Sequence, residues 1–202
     1  MNSFDLHMHS CYSNDGELSP QELLTLAQQA KLTTIALSDH NTPKGIDEMC
    51  SLGKKFGIRV IPAMEFDTLF EGLEVHVLGY GIDYTKAYFQ QLYDTLQVRK
   101  KAIHQARIEK IAEVYDLDID AQALLANVQN TRNPFPEVIH TIMETYSDKE
   151  EFKDYQPGGK RCDPQPVNFY WDQCSAGKPC HVPIAYPSTQ DTVKQIHDAG
   201  GG

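Results

Sequence analysis

Asp5-Leu6-His7-Met8-His9-Ser10 opens the chain with two histidines one residue apart on a short apolar stretch. Side chains alternate along a strand, so His7 and His9 share one face while Leu6 and Met8 share the other. Two residues of rise separate them by about 7 Å at the backbone, a gap that two imidazoles can close around one metal ion. Two imidazoles on one face of a core strand carry a desolvation penalty unless something binds them. A solvent-facing polar edge is the other reading of this segment alone, and the rest of the chain weighs against it.

The strand over residues 3–9 runs into a loop at 10–18. Ser19-Pro20-Gln21-Glu22 is a helix start: Ser as N-cap, Pro in the first turn, Glu three residues after the cap. Leu23, Leu24, Leu26, Ala27 and Ala30 then follow as one buried helical stripe. Residues 33–37 are a β-branched apolar run, read as a second strand ending at Ser38-Asp39-His40. A short helix covers 44–56, a third strand runs from Arg59 to Met64 and ends at Glu65, and a fourth spans 75–80 with His76 near its start. Strand, helix, strand, helix, strand is the pattern of parallel β/α units. In such folds sites gather at the carboxyl ends of the strands, and His9, Asp39-His40 and Glu65-Phe66-Asp67 all fall there.

From residue 85 the texture changes. A long charged helix is expected over 84–114, with Leu92, Leu96, Ile103, Ala106 and Ile111 for its buried face. Shorter helices are expected over 121–128 and 136–146, a meandering Pro- and Gly-containing loop over 153–187, and a last helix over 191–199. The domain expectation is therefore an N-terminal β/α part at 1–84, a mainly helical insertion at 85–187, and a return segment at 188–202.

Composition narrows the function classes. The 202 residues are 41% hydrophobic and 23% charged, as in an ordinary globular protein. A formal net charge of −10 argues against binding long nucleic acid, an affinity that rests on clustered Lys and Arg. It leaves room for a small phosphorylated substrate or the end of a short oligonucleotide. No basic-then-apolar leader and no membrane-spanning run are present, so a cytoplasmic protein is expected. Five cysteines do not read as a disulfide framework. Cys162, Cys174, Cys180 and His181 lack the spacing of a zinc knuckle and read as ordinary thiols and a histidine.

Four of the eight histidines, His7, His9, His40 and His76, lie before residue 77 at or near strand ends. With Asp15 and Glu65 they combine imidazoles with hard carboxylates, a donor set suited to Zn, Mn or Fe. A carboxylate such as Glu65 can bridge two ions, and two or three ions are what phosphoester hydrolysis uses.

Several of these segments occur in a set order: Asp5-Leu6-His7-Met8-His9-Ser10 with Asn14-Asp15-Gly16, then Leu37-Ser38-Asp39-His40-Asn41-Thr42, then Met64-Glu65, then Val75-His76-Val77-Leu78-Gly79-Tyr80. Together they resemble the motifs of the PHP (polymerase and histidinol phosphatase) family. The layout beyond residue 85 is similar to its small bacterial phosphoesterases, a group that includes nucleoside 3′,5′-bisphosphate phosphatases and oligoribonucleotide 5′-exonucleases. The resemblance implies an α/β fold, a distorted seven-stranded β/α barrel with a helical insertion, holding up to three divalent ions. By motif position His7 and His9 would bind the first ion, Glu65 would bridge the first and second, His76 would serve the second, and Asp15 and His40 the third. Arg107, and as a second candidate Arg132, resemble phosphate-facing arginines. His40 or Asp39 would be the proton-transfer partner, with Glu65 holding the ions around an activated water.

The resemblance also implies later motifs, an Ala-His-Pro strand end and an Asp-x-His, that this sequence does not contain. His140, His181 and His197 stand in the wrong context to replace them. The expectation is a fragment of a longer phosphoesterase with an incomplete barrel; a short variant completed by a second copy in a homodimer is the alternative. A non-catalytic PHP-like module that binds metal or protein is the rival functional class.

Overall fold

The computed structural model describes residues 3–129 and 133–202. The chain divides into two compact units, one built from the chain up to Gln97 with Ala185–Gly202, the other from Val98–Ile184.

The first unit is an α/β structure around a four-stranded sheet in the order β1-β2-β3-β4, with β1 at Phe4–Met8, β2 at Thr34–Leu37, β3 at Arg59–Phe70 and β4 at Leu73–Tyr80. β1, β2 and β3 are parallel, with Phe4 opposite Thr34 and Leu37 opposite Pro62. Two helices make the crossovers, α1 at Pro20–Gln29 and α2 at Ile46–Phe56. The sheet curls into a half-barrel, and the Tyr80 hydroxyl at the end of β4 donates to the Leu6 carbonyl of β1 across 2.9 Å.

β4 departs from the parallel pattern. It returns antiparallel to β3 through Glu71-Gly72, pairing Phe70 with Leu73 and Ala63 with Tyr80. Both turn residues have positive φ, 50° and 81°, the backbone of a two-residue hairpin whose twist matches its strands. A link this short cannot make the crossover that a parallel neighbour needs. The hairpin also carries β3 five residues beyond Glu65, to Phe70.

α1 begins with the full capping box at Ser19 and Glu22. It buries Leu24 and Ala27, whereas Leu26 is 49% exposed and Ala30 lies at the surface. The expected stripe was too wide, because position 26 is two residues from 24 and faces almost the opposite way round the helix. Leu24 and Ala27 pack with Ile35, Leu37, Met49 and Ile58 on one side of the sheet. A second cluster joins Ile46, Met64, Phe66, Phe89, Leu92, Leu96 and Ile196. The last four come from the start of α3, Ala87–Tyr115, and from α7, Thr189–Asp198, which Ser188 caps.

The second unit has its own core. Ile108 and Ile111 of α3 pack there with Leu117, Val138, Ile139, Ile142 and Met143, the last four from α5 at Phe135–Thr145. A short helix α4 occupies Ala121–Ala126. The expected loop from 153 holds more order than its Pro and Gly content suggests. A 3₁₀ turn at Glu150–Tyr155, a short helix α6 at Gln165–Phe169 and a π-helical turn at Tyr170–Cys174 are set by buried anchors, Phe152, Tyr155, Phe169, Cys174 and Cys180. Among the described residues no helix is long and apolar enough to cross a membrane.

Candidate metal centre

The strand ends of the first unit converge. His7 ends up on one side of β1 with His9, as alternation requires, and their Nε2 atoms lie 3.1 Å apart. Glu65 Oε2 sits 2.8 Å from His7 Nε2 and 3.0 Å from His9 Nε2. Three ligand atoms at right angles around an ion 2.0–2.1 Å away would stand about 3 Å from one another. The first cluster therefore fits a divalent ion in both chemistry and spacing.

Two further groups adjoin it. His9, Asp15 and His40 form one, and His40, Asp67 and His76 the other. Asp15 reaches His9 Nδ1 at 2.9 Å and His40 Nε2 at 3.3 Å. Asp67 lies 2.6 Å from His40 Nδ1, and Glu65 Oε1 lies 2.8 Å from His76 Nδ1. Glu65 thus faces imidazoles through both oxygens, which is the disposition of a bridging carboxylate.

Local sequence explains why these atoms meet. The segment after β2 continues alongside β3, with Asn41 N–H donating to the Glu65 carbonyl at 2.8 Å, and this sets His40 opposite Glu65. Asp39 is buried, and Ser10 donates to it from its N–H at 2.6 Å and from its hydroxyl at 2.7 Å. That clamp ties the end of β1 to the end of β2. The loop 10–16 folds back so closely that a Cβ on Gly16 would lie 2.0 Å from the Ser10 carbonyl oxygen. Only glycine lets Asp15 be delivered there. Ser13 then donates to Asp15 at 2.6 Å.

Charge follows this geometry. Burial raises Asp39 to about 6, against the hydrogen bonds from Ser10. Burial opposes the charge on Asp15, yet hydrogen bonds from His40, His9 and Ser13 hold it far below the ordinary carboxylate range. Glu65 is likewise lowered, His7 and the neighbouring imidazoles outweighing its burial. Burial also disfavours a charged His40, but the bonds to Asp15 and Asp67 raise it to about 10. His9 is raised chiefly by its hydrogen bond to Asp15. Among the described residues, neither Asp15 nor Glu65 has a Lys or Arg partner. The anionic charge faces imidazoles alone, which is the balance that divalent cations would complete.

All six residues named as ligands from sequence, His7, His9, Asp15, His40, Glu65 and His76, belong to these groups. Asp67 joins them and was not named as a ligand; its signal was its place two residues after Glu65, on the same face of β3. His140 instead contacts Gln165 and Glu144, and Cys162, Cys174, Cys180 and His181 form no metal-ligating group among the described residues. Arg107 lies in the second unit on α3, buried, with its guanidinium 5.4 Å from the Phe135 ring and 5.3 Å from the Tyr170 ring. Arg132 lies outside the described residues.

Over 203 residues, 98% of this chain, it is 29% identical to a 5′-3′ exoribonuclease of Haemophilus influenzae, and it is 27% identical to one of Escherichia coli over 206 residues. The chain spans 66% and 62% of those relatives, just under two thirds of their length. A 3′,5′-nucleoside bisphosphate phosphatase of Chromobacterium violaceum is 28% identical over 114 residues, 56% of this chain and 37% of that protein. Among solved structures, a protein of Bifidobacterium adolescentis assigned as a metal-dependent phosphoesterase shares the fold with a TM-score of 0.71 at 21% identity, covering 99% of this chain and 65% of its own. The model of the PHP domain matches residues 5–182, and the chain belongs to the PHP domain family.

Proposed function

We propose that the chain is a metal-dependent phosphoesterase acting on a small phosphorylated substrate: a nucleotide, a nucleoside bisphosphate or the end of a short oligonucleotide. One observation carries the reading. Four imidazoles and three carboxylates from five separate segments, namely β1, the loop after it, the end of β2, β3 and β4, converge with donor separations of 2.6–3.7 Å. The names of the relatives, exoribonuclease and bisphosphate phosphatase, support the substrate class.

Divalent Mn, Zn or Fe bound there would neutralise phosphate oxygens and lower the pKa of a water. The chain's own residues divide the remaining work. His7, His9 and Glu65 hold one position, Glu65 reaches across to His76, and Asp15 serves His40. A ring nitrogen can bind one ion while the other is held by a carboxylate. Asp67 holds His40 Nδ1 in this way and leaves Nε2 aimed at Asp15 and Glu65. Asp39 has both oxygens engaged by Ser10, so in this reading it fixes the loop rather than touching substrate. Arg107 and Arg132 are the candidate phosphate contacts.

The test is metal content by elemental analysis with Mn²⁺-dependent release of phosphate from nucleoside bisphosphates. The expected result is two or more ions per chain with turnover. His9→Ala and Glu65→Gln should each reduce that turnover by more than the about 10- to 100-fold typical of losing an outer partner. Unchanged turnover in either variant would sink the assignment. One tightly held ion without turnover would favour a module that binds metal and does not hydrolyse.

A further inference from the structure

The second unit brings two of its cysteines together at the ends of one tight turn. Cys174 closes the π-helical turn that begins at Tyr170. Ser175 to Lys178 then reverse the chain, and the Lys178 N–H donates to the Ser175 carbonyl at 3.0 Å. Gly177 takes the third position of this turn at φ 79°, where a type II turn needs positive φ. Beyond it the chain comes back alongside itself, and the Cys180 N–H donates to the Gln173 carbonyl at 2.7 Å. That carbonyl belongs to the peptide leading into Cys174. Standard bond lengths then hold the two Cα atoms within about 7 Å of each other. Disulfides span about 4.4–6.8 Å between Cα atoms, so the backbone already stands at bridging distance.

The side chains turn inward to the same place. Cys174 is 1% exposed and Cys180 0%, both in the core cluster with Phe152, Tyr155 and Phe169. The Cys174 thiol donates to the Cys180 sulfur, and this bond, helped by the Lys110 charge and opposed by burial, lowers Cys180 below the ordinary thiol value. The same contact, together with burial, raises Cys174. One sulfur is thus favoured as thiolate beside another that keeps its proton, the pairing from which thiol–disulfide exchange proceeds. Tyr115, at the end of α3, feels both sulfurs, which add to burial in raising its hydroxyl. Among the described residues no His, Asp or Glu joins the two in a metal-ligating group, so the pair lacks the further ligands of a zinc site. Residues 176–179, which link the two cysteines, are exposed, a four-residue strap whose opening admits a small reagent.

We propose that Cys174 and Cys180 are a redox-active pair, which a small disulfide oxidant converts to an intramolecular disulfide and a dithiol reductant reopens. The Cys180 thiolate attacks one sulfur of the oxidant, whose S–S bond breaks and whose other half leaves as a thiolate. Cys174 gives its proton to that thiolate, and its sulfur then attacks Cys180. The second half of the oxidant is expelled and takes a proton from solvent. Two protein thiols lose two electrons in all, and one small disulfide becomes two thiols. This chemistry is independent of the metal centre in the first unit.

Cys11, Cys50 and Cys162 are partly buried and serve as the internal comparison. The full chain is equilibrated in glutathione buffers of rising oxidised-to-reduced ratio and quenched in acid. Free thiols are alkylated under denaturing conditions, the sample is reduced, and a second alkylating reagent marks the thiols that had been oxidised. Mass spectrometry then maps both labels. Cys174 and Cys180 should convert together, at a ratio lower by about ten-fold or more than that which modifies the other three. The intact mass should fall by two hydrogen atoms with no glutathione attached, and dithiothreitol should restore it. Cys174→Ala leaves Cys180 without a partner, so the loss of two hydrogens should vanish in that variant. Should the variant misfold, the wild-type map decides by itself. Cys174 and Cys180 still reduced where the other three carry glutathione, a bridge from either of them to Cys162, or the same mass loss in folded Cys174→Ala would each overturn the proposal.

Discussion

Asp67 carries two duties at one position. Its Oδ1 faces His40 Nδ1 at 2.6 Å, its Oδ2 accepts from the Asn41 amide at 2.7 Å, and its own N–H donates to Asn41 Oδ1 at 3.1 Å. A carboxylate behind a ligating imidazole fixes the ring's tautomer and raises its basicity. Asp67→Asn keeps the shape and removes the charge. It is expected to weaken metal binding by about 10- to 100-fold, read by competition with a chromophoric chelator; unchanged affinity would show that Asp67 orients nothing. A second residue, His104, makes a pH prediction. Burial together with the charges of Arg107 and Lys100 lowers it from 6.5 to about 4. The unfolded chain therefore takes up a proton near pH 6.5 that the folded chain refuses until about pH 4. Its neutral form supports the fold fully above pH 6.5, and that support is lost progressively as pH falls towards 4. His104→Gln cannot take up the proton. In urea unfolding at pH 7 and pH 5, the wild type should lose more stability than His104→Gln; equal losses would refute the shift.

At the scale of elements, the loop from Ser10 to Gly16 depends on one missing atom. A Cβ at Gly16 would meet the Ser10 carbonyl carbon at 2.5 Å as well as its oxygen, both backbone atoms with no freedom to swing away. Gly16→Ala must displace the loop, withdrawing Asp15 from His9 and His40. The expected outcome is a loss of about 1–3 kcal/mol in metal-free urea unfolding and fewer ions bound per chain. Native metal content in that variant would show that Asp15 is not needed. The same elements explain what the sequence made legible. Period-two alternation put His7 with His9, and the placement of polar residues after successive strands located His40 and Glu65. Asp67 was passed over as a ligand because β3 was taken to end at Glu65, and only the hairpin partner β4 shows that the strand continues. The β4 direction turns on Glu71, a non-glycine residue at positive φ, whose conformation its side chain does not advertise. In the second unit the aromatic anchors follow neither helical nor strand spacing. Their order comes from packing Tyr115 against Phe152 at 4.8 Å and Tyr155 against Phe169 at 5.3 Å, contacts between segments far apart in the chain.

For the whole molecule, the distribution of charge ties stability to cations. The three metal-ligating groups all belong to the first unit, whose sheet ends hold Asp15, Glu65 and Asp67 together. Without cations this concentration of carboxylates depends on imidazoles for compensation, and the chain as a whole is already at −10. A ligand that binds only the folded state stabilises it by about 2.7 kcal/mol when present at 100 times its dissociation constant. Mn²⁺ should therefore raise the unfolding temperature, and EDTA should reverse the rise. The gain should be local in hydrogen exchange. Amides in peptides covering residues 4–16, 34–42 and 59–80 should slow on adding Mn²⁺, because the ions cross-link the ends of β1, β2 and β3 with β4. Those of α5, which packs in the separate core with Ile108 and Ile111, give the internal comparison. Unchanged exchange in 4–16 and 59–80 at saturating Mn²⁺ would mean that the converging histidines and carboxylates satisfy one another, and the metal reading would fall with it.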